Sequence, residues 1–304
     1  AGSNNYKLNY KVISSIVEDA DNNLWIGTEG GGLNFLNKKT GEFTYYTHNE
    51  KNTKSISTNN IKSIIQTTEG NFWIGTHDGG LNFLNPTKKP FDFKKYKNIA
   101  NDTLSLSNNR IISLLEDYNN NIWIGTSGSG LDMFDVKQNK FFRIDEATNI
   151  VGPIIYSISK TSSKDILLIS GSEGLAKINV TNKKLTPIIY NKQRSTRENE
   201  TITLCAYEDL LKNIWIGTEG DGLFYYNTES KESIRYTTEN GLPNQVIYSI
   251  LPDSYNNIWF STNKGLSRFS LETRQFKNFD ISDGLSSNEF NYNSSIELQN
   301  KELM

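Results

Sequence analysis

The sequence contains a single cysteine, Cys205, and only two histidines, His48 and His77, in 304 residues. One cysteine excludes an intrachain disulfide and a thiolate metal site, and the two histidines lack the spacing of zinc ligands. Cys205 lies in an apolar stretch, which predicts a small buried hydrophobe rather than a reactive thiol. We therefore expect no metal, no cofactor and no catalytic residues in this chain.

Basic runs and long apolar runs are also missing. The chain has 32 lysines and arginines against 34 acidic residues, and these charges are dispersed. Because duplex binding requires clustered cations, we expect no nucleic-acid partner. No apolar run approaches the length of a bilayer span, and no signal peptide is visible. Ala1-Gly2-Ser3 resembles the remnant of a cloning tag, so a targeting segment could have been removed.

Enzyme and ion-binding motifs are equally scarce. No Gly-x-Ser-x-Gly nucleophile elbow occurs. The stretch from Gly125 to Gly130 lies between two predicted strands rather than at the start of a helix, so it is not a phosphate loop. Residues 19–23 resemble the start of a calcium loop, but Leu24 and Gly30 stand where glycine and glutamate are needed. This segment is predicted to be a polar turn.

What the sequence does have is a repeat built around its tryptophans. The motif Trp-Ile-Gly-Thr begins at four positions, which are Trp25, Trp73, Trp123 and Trp215. A weaker copy is Trp259-Phe260-Ser261-Thr262, and a degenerate copy places Leu167 in the tryptophan position. Successive copies are 44 to 50 residues apart. A fixed period in this range indicates a repeat architecture.

Each repeat is predicted to form four short strands. The pattern is illustrated by residues 61–65 for the first strand, the tryptophan strand for the second, 33–36 for the third and 42–46 for the fourth. Asn-rich and Gly-rich turns separate them. Units of this size stacked radially form an all-β propeller, whereas the alternative, an open β-solenoid, has shorter coils. The five tryptophans are predicted to fill the space between adjacent blades, and the motif glycine to allow close approach of the neighbouring backbone.

Six complete blades and an incomplete seventh are predicted in one propeller domain spanning residues 1–304. Residues 12–283 hold the six repeats, and residues 284–304 hold the partial seventh, with a first strand at 294–298. Residues 1–11 contain the tag and a segment, 6–10, that could close the ring as an outer strand. The alternative is a natural chain that continues past Met304.

The repeat resembles the two-component regulator propeller, the periplasmic sensor region of hybrid two-component systems in gut Bacteroidetes. The resemblance rests on residues 18–28 with Gly32 and Leu33, on their equivalents in the other repeats, and on residues 283–291, which are similar to the segment that leads into the last blade of such sensors. It covers nearly the whole chain. The fourth repeat departs from the pattern because it lacks tryptophan, and the sixth because Ser261 replaces glycine.

The resemblance implies a carbohydrate-sensing input module for polysaccharide utilisation. In that family the full protein is a homodimer with two propellers, an immunoglobulin-like domain, a membrane helix, a histidine kinase and a response regulator. The implied location is therefore the periplasm, with the membrane reached only through segments outside this sequence. The implied partner is an oligosaccharide, and catalysis belongs to the kinase rather than to this chain.

The candidate ligand site is the end of the repeats where the turn after the second strand meets the connection to the next blade, since antiparallel alternation places both there. Amides and carboxylates at that end suit hydroxyl-rich ligands, although the same residues are common in ordinary turns. The predicted site residues are Glu29, His77, Asp78, Asn109, Arg110, Glu219, Asp221, Lys264, Asn288 and Glu289. Further residues at this end are Asn59, Asn60, Asn108, Ser127, Glu173, Asn244 and Gln245.

Two other functions stay open on the sequence alone. A propeller lyase would need a histidine or metal cluster at the central channel, where His77 stands by itself. A protein-interaction scaffold would show a contiguous exposed apolar patch, for which the outer-strand residues 91–93 and 225–226 are candidates.

Overall fold

The computed structural model describes residues 6–191, 201–292 and 295–304. It is all-β, with six four-stranded antiparallel sheets whose strands follow one another in chain order. Each sheet corresponds to one predicted repeat, so the six complete blades are confirmed. The chain divides into two compact units, one formed by Ala1–Ile144 with Leu298–Asn300 and the other by Asp145–Glu297 with Lys301–Met304.

The first unit contains blades 1 to 3. Blade 1 consists of β1 (Ile13–Glu18), β2 (Leu24–Thr28), β3 (Gly32–Asn37) and β4 (Glu42–Tyr46). Blade 2 consists of β5 (Ile61–Gln66), β6 (Phe72–Thr76), β7 (Leu81–Leu84) and β8 (Lys94–Tyr96). Blade 3 consists of β9 (Ile111–Glu116), β10 (Ile122–Thr126), β11 (Leu131–Asp135) and β12 (Lys140–Ile144). The first strand of each blade packs beside the first strand of the next, β1 on β5 and β5 on β9.

The second unit contains blades 4 to 6. Blade 4 consists of β13 (Ile155–Lys160), β14 (Ile166–Gly171), β15 (Gly174–Asn179) and β16 (Leu185–Pro187), preceded by a single helical turn, α1 (Ala147–Ile150). Blade 5 consists of β17 (Thr203–Glu208), β18 (Ile214–Thr218), β19 (Leu223–Tyr226) and β20 (Ser233–Tyr236). Blade 6 consists of β21 (Ile247–Pro252), β22 (Asn257–Thr262), β23 (Gly265–Ser270) and β24 (Phe276–Phe279). Its first strands also neighbour one another, β13 on β17 and β17 on β21.

Tryptophans fill the space between blades, as the repeat predicted. Trp25 of blade 1 is packed among residues of blade 2, including Ile61 and Phe72. Trp73 packs in the same way on blade 3 and Trp215 on blade 6. All three indoles are at most 3% exposed. Burial of large aromatic area between consecutive sheets therefore stabilises each unit.

The motif glycine allows close approach, but of a neighbouring side chain and not of the backbone that the sequence suggested. A Cβ on Gly75 would lie 2.5 Å from Cγ2 of Ile111, the first residue of the next blade. The same crowding joins Gly27 to Ile61. The β-branched isoleucine occupies the volume that a side chain on the glycine would need, so each glycine and the isoleucine after it form a fitted pair.

An aspartate six residues before the tryptophan fixes the indole. Nε1 of Trp123 donates to Oδ2 of Asp117 at 2.8 Å, while Oδ1 of Asp117 accepts the backbone N–H groups of Asn119 and Asn121. Blades 1, 5 and 6 repeat this arrangement through the pairs Asp19–Trp25, Asp209–Trp215 and Asp253–Trp259. One carboxylate thus closes the turn and satisfies a buried donor.

In blade 4 the tryptophan position is one residue later than the comparison of the repeats predicted. Leu168 pairs with Ser159, the fifth residue of its first strand, just as Trp73 pairs with Ile65. Leu168 and not Leu167 therefore takes the tryptophan position, and Ser170 takes the glycine position. Blade 5 starts with Thr203, which is smaller than the isoleucine that starts the other blades, so there is room for Ser170 of β14 in the glycine position.

The incomplete seventh blade is not seen in the described residues. Asn288 does accept a backbone bond from Gly265, as a connection to a further blade would. Residues 295–304, however, hold only an isolated bridge between Glu297 and Leu303, and residue 294 of the expected strand lies outside the described residues. The predicted outer strand at 6–10 is also absent, since that segment is irregular and bonds through Asn9 to Gly31 and Asn34.

The helical segments of the described ranges are single turns, namely α1, Thr238–Asn240 and Ile281–Asp283. None of the helices in these ranges has the length and apolar character of a membrane span.

Candidate functional site

The turn face of each unit is the end where the turn after a blade's second strand meets the connection into the next blade. In blade 1 the N–H groups of Gly30 and Gly32 both donate to the carbonyl of Asn59. In blade 5 Gly220 and Gly222 donate in the same way to Gln245. The predicted meeting of turns and connections is therefore confirmed within both units.

The asparagines of the turn face have a structural task. Oδ1 of Asn109 accepts the backbone N–H of Asn98 at 2.7 Å, and Oδ1 of Asn59 does the same for His48. Asn288 repeats the contact with Ile281 at 2.9 Å. Each side chain thereby fixes the loop that follows a blade's fourth strand, so the side-chain oxygens of Asn109 and Asn288 are already engaged.

The first unit brings together only part of its predicted set. Glu29 forms an ion pair with Lys62 of the neighbouring blade, and both side chains are partly buried. His77 and Asp78 are exposed on the turn of blade 2, where the backbone of His77 bonds to Asn60. Arg110 is exposed. Of these side chains, all within the described residues, the structure joins only Glu29 and Lys62 directly.

The second unit buries one predicted residue and exposes others. Asp221 is 5% exposed, accepts the hydroxyl of Thr201 and pairs with Arg235 at 3.2 Å. Its carboxylate is therefore part of the packing of blade 5 and is poorly placed to meet a ligand. Lys264 and Glu289 are exposed.

A bulge at the second residue of every first strand turns one side chain per blade out of the strand alternation. In blade 2 the pairing passes from Ile61 to Ser63 and skips Lys62. The same shift occurs in all six blades. The bulged residues are Ser14, Lys62, Ile112, Tyr156, Leu204 and Tyr248. Bulges often re-aim a side chain beside a binding site.

Two of the bulged residues, Tyr156 and Tyr248, lie beside Tyr292. We call these three residues the tyrosine cluster. The rings of Tyr156 and Tyr292 stack with centroids 5.6 Å apart, and Tyr248 meets Tyr292 edge-on at 4.9 Å. The hydroxyl of Tyr248 donates to Oδ1 of Asn263 at 2.9 Å. All three rings are half-buried, so part of each ring reaches solvent.

Glu219 is the charged neighbour of the tyrosine cluster. Burial raises the pKa of Tyr156, and the negative charge of Glu219 raises it further. Burial, Glu219 and the two other tyrosines together raise the pKa of Tyr292 to about 12. The raised pKa values keep the phenols of Tyr156 and Tyr292 neutral at physiological pH. The site combines aromatic faces, hydroxyl groups and one carboxylate.

Sequence reasoning found Glu219 and missed the tyrosines. The available signal is the pattern Ile-x-Ser at the start of the first strands, as in Ile155-Tyr156-Ser157 and Ile247-Tyr248-Ser249. The middle residue varies between nearly fixed neighbours, and it is partly exposed in four of the six blades, whereas Ser14 and Leu204 are buried. Tyr292 has no such signal because it lies outside any strand.

Cys205 is buried, as its apolar context predicted. It is 8% exposed, Sγ lies 3.6 Å from the carbonyl oxygen of Ile247, and burial raises the pKa of the thiol to about 12. At about pH 8 the ionised fraction is then about one in ten thousand. We expect no labelling of the folded chain by iodoacetamide and stoichiometric labelling in guanidinium chloride, followed by mass spectrometry. Rapid labelling without denaturant would contradict this burial.

Residues 91–93 and 225–226 were predicted to form exposed apolar outer strands, but each segment has one buried aromatic side chain. Phe93 is 4% exposed and packs in the core cluster of blades 1 and 2, and Tyr226 is 6% exposed. Tyr226 lies in β19, the third strand of blade 5, and Phe93 precedes β8, so neither residue belongs to an exposed outer strand. These segments therefore do not form the patch that a scaffold would need.

Four segments match the sequence profile of the two component regulator propeller, and the matches cover residues 7–30, 55–78, 105–128 and 241–264. These include the tryptophan motif of blades 1, 2, 3 and 6. The β-propeller assignment made from the repeat is thereby confirmed.

The chain is similar along almost its whole length to larger proteins. Histidine kinase P4 of Formosa agariphila is 30% identical over 98% of the chain, which spans 22% of that protein. The extracellular domain of a putative hybrid two component system from B. thetaiotaomicron has a TM-score of 0.76 and 21% identity, with 96% of the chain and 38% of that domain aligned. Virginiamycin B lyase from Staphylococcus aureus has a TM-score of 0.66 and 13% identity, with coverages of 88% and 84%. The chain thus spans well under half of its sensor relatives, and the solved structures establish likeness of fold.

Proposed function

Because the chain carries repeats of the two-component regulator propeller family, we propose that it is an extracytoplasmic input domain of a hybrid two-component sensor. In this proposal the chain is non-catalytic, and it passes the bound state to a histidine kinase carried elsewhere in a homodimeric, periplasm-facing parent protein. The similarity to a histidine kinase and to an extracellular sensor domain supports this role.

The ligand that we propose is an oligosaccharide bound at the tyrosine cluster. The observation that carries this proposal is the meeting of three half-buried rings with Glu219 and Asn263 on the turn face of the second unit. One face of a pyranose ring presents C–H groups that pack on an aromatic ring, while its hydroxyls donate to carboxylate and amide oxygens. A site that offers both fits a sugar better than it fits a purely apolar or purely charged ligand.

The test is a calorimetric titration of the chain with neutral, acidic and amino-sugar oligosaccharides from plant and host polysaccharides. Loss of the Tyr248 ring in Tyr248→Ala should weaken binding by at least about fivefold, because a stacked ring contributes on the order of 1 kcal/mol beyond its buried area. Tyr248→Phe should retain most of the affinity because the ring stays. Glu219→Gln should weaken the binding of hydroxyl-rich ligands, because the carboxylate that accepts their hydroxyls is lost.

Tyr255→Ala is the matched control, since Tyr255 is 83% exposed in the turn between β21 and β22 and is absent from the tyrosine cluster. Thermal denaturation of every variant separates loss of binding from loss of folding. Unchanged affinity in both Tyr248→Ala and Glu219→Gln would contradict oligosaccharide binding at the tyrosine cluster. Failure of a longer, natural sensor containing this chain to bind any oligosaccharide would remove the sensing role, and recovery of cleaved sugar would favour a lyase.

A further inference from the structure

Two leucines occupy a turn in which no other blade has a large aliphatic side chain. The turn between β17 and β18 reads Asp209-Leu210-Leu211-Lys212-Asn213, whereas the corresponding turn of blade 3 is Asp-Tyr-Asn-Asn-Asn. Leu210 is 93% exposed and Leu211 is 77% exposed. The turn itself does not require them, because Oδ1 of Asp209 accepts the N–H groups of Leu211 and Asn213, just as Asp117 does in blade 3.

The leucines form one edge of a groove between blades 5 and 6. Ile234 of β20 and Leu271 of the turn after β23 continue the apolar edge, with exposures of 49% and 40%. Trp215 and Tyr236 line the groove deeper in, and its volume is about 360 Å³. Small-molecule sites have volumes of about 300–1,000 Å³ and are lined mainly by apolar and aromatic groups, and the groove meets both conditions. Four exposed apolar side chains around one concave surface form a contiguous patch rather than scattered residues.

The groove offers an anion one cation, Arg274. Two aspartates line it, but Asp209 accepts the Trp215 indole, and Asp253 accepts Trp259 together with the side chain of Asn257. Both carboxylates are therefore directed into the turns. Arg274 is the cation among the lining residues, and its side chain has no ion pair within the described part of the chain.

Arg274 also lies close to the aromatic wall. Burial raises the pKa of Tyr236 and of Tyr225, and the charge of Asp209 raises that of Tyr225 further. The positive charge of Arg274 opposes the rise at both phenols. Its guanidinium is exposed and so can bind a carboxylate in a bidentate manner without loss of an existing partner.

We propose that the groove between blades 5 and 6 binds a small amphipathic carboxylic acid, whose apolar body lies against Leu211, Ile234 and Tyr236 and whose carboxylate pairs with Arg274. This site is built from the side of blades 5 and 6 where the aspartate turns lie, and its residues differ from those of the tyrosine cluster. It is therefore independent of the oligosaccharide proposal, and either site can be tested without the other.

The experiment is a calorimetric titration of the chain with 4-phenylbutyrate and decanoate, with 4-phenylbutanol as the uncharged match for the first acid. We expect saturable one-to-one binding of both acids and at least about tenfold weaker binding of the alcohol, because a charge-assisted pair contributes about 1.5–3 kcal/mol. Arg274→Gln should reduce the affinity for 4-phenylbutyrate to that of the alcohol. Leu211→Asp should weaken both ligands.

Lys212→Gln is the matched control for both variants. It removes a cation from the turn that carries Leu211, but the Lys212 side chain does not line the groove. Leu211 is largely exposed, so Leu211→Asp is expected to melt with the parent chain, and a melting curve verifies this. The proposal is overturned by absence of saturable acid binding, by equal affinity for acid and alcohol, or by an unchanged Arg274→Gln variant. Sedimentation velocity in which the parent chain self-associates and Leu211→Asp does not would assign the groove to a second copy instead.

Discussion

Replacing Trp73 with alanine is expected to lower the free energy of unfolding by about 3–5 kcal/mol, the range for large-to-small aromatic substitutions in cores. The indole is 3% exposed, and its ring centroid lies 5.0 Å from that of Phe83, 5.6 Å from that of Tyr96 and 5.1 Å from that of Phe134. The alanine would leave a cavity between two sheets that cannot close without moving both. Denaturant unfolding monitored by circular dichroism measures the loss.

Trp259→Ala is the comparison within the same motif. Trp259 is only half-buried, stacks on Phe279 and has the residues Phe290, Leu303 and Met304 beside it in place of a following blade. Although this substitution also removes the hydrogen bond to Asp253, the loss should be smaller, because less area leaves the core. Equal losses for Trp73→Ala and Trp259→Ala would show that packing between blades is not what the tryptophan contributes.

Gly75→Ala is expected to lower the free energy of unfolding by about 1–3 kcal/mol, although it adds only one methyl group. The added methyl would lie 2.5 Å from Cγ2 and 3.0 Å from Cβ of Ile111, which is fully buried. Neither strand can move without disturbing its own ladder. The loss is measured by denaturant unfolding.

The double variant Gly75→Ala with Ile111→Ala tests the cause of that loss. Removal of Cγ2 creates the room that the new methyl needs, so the two changes should cost less together than the sum of the single losses. Strictly additive losses would assign the effect of Gly75→Ala to backbone conformation and not to the fit between blades.

The repeat alone predicted most of the fold, because each copy of the motif carries its own strand, turn and core signals. Asp117 and Trp123 show why, since one short segment supplies the turn, its closing carboxylate and the buried ring. The alignment of the repeats was wrong in blade 4, where the motif has no tryptophan. Blade 4 has four consecutive leucine and isoleucine residues at this point, and only the pairing of Leu168 with Ser159 decides the register.

The candidate site was less predictable. Polar turn residues such as Asn109 and Asp221 attract attention by chemistry, yet the structure engages the first in a loop and the second in an ion pair. Tyr156 and Tyr292 are more than a hundred residues apart and meet through the arrangement of the blades. Such a meeting depends on tertiary geometry, which no local pattern encodes.

The bulge in every first strand has an evolutionary consequence. Six equivalent positions hold serine, lysine, isoleucine, leucine and two tyrosines, while the residues on either side of them are nearly constant. Ser14 and Leu204 are buried, but Lys62, Ile112, Tyr156 and Tyr248 are partly exposed. A substitution at one of these four exposed positions changes the binding surface without disturbing the neighbouring ladder. The fold therefore separates the freedom to acquire a new specificity from the requirement to stay folded, and a library randomised at these positions should retain folded members at a far higher rate than one randomised at the motif glycines.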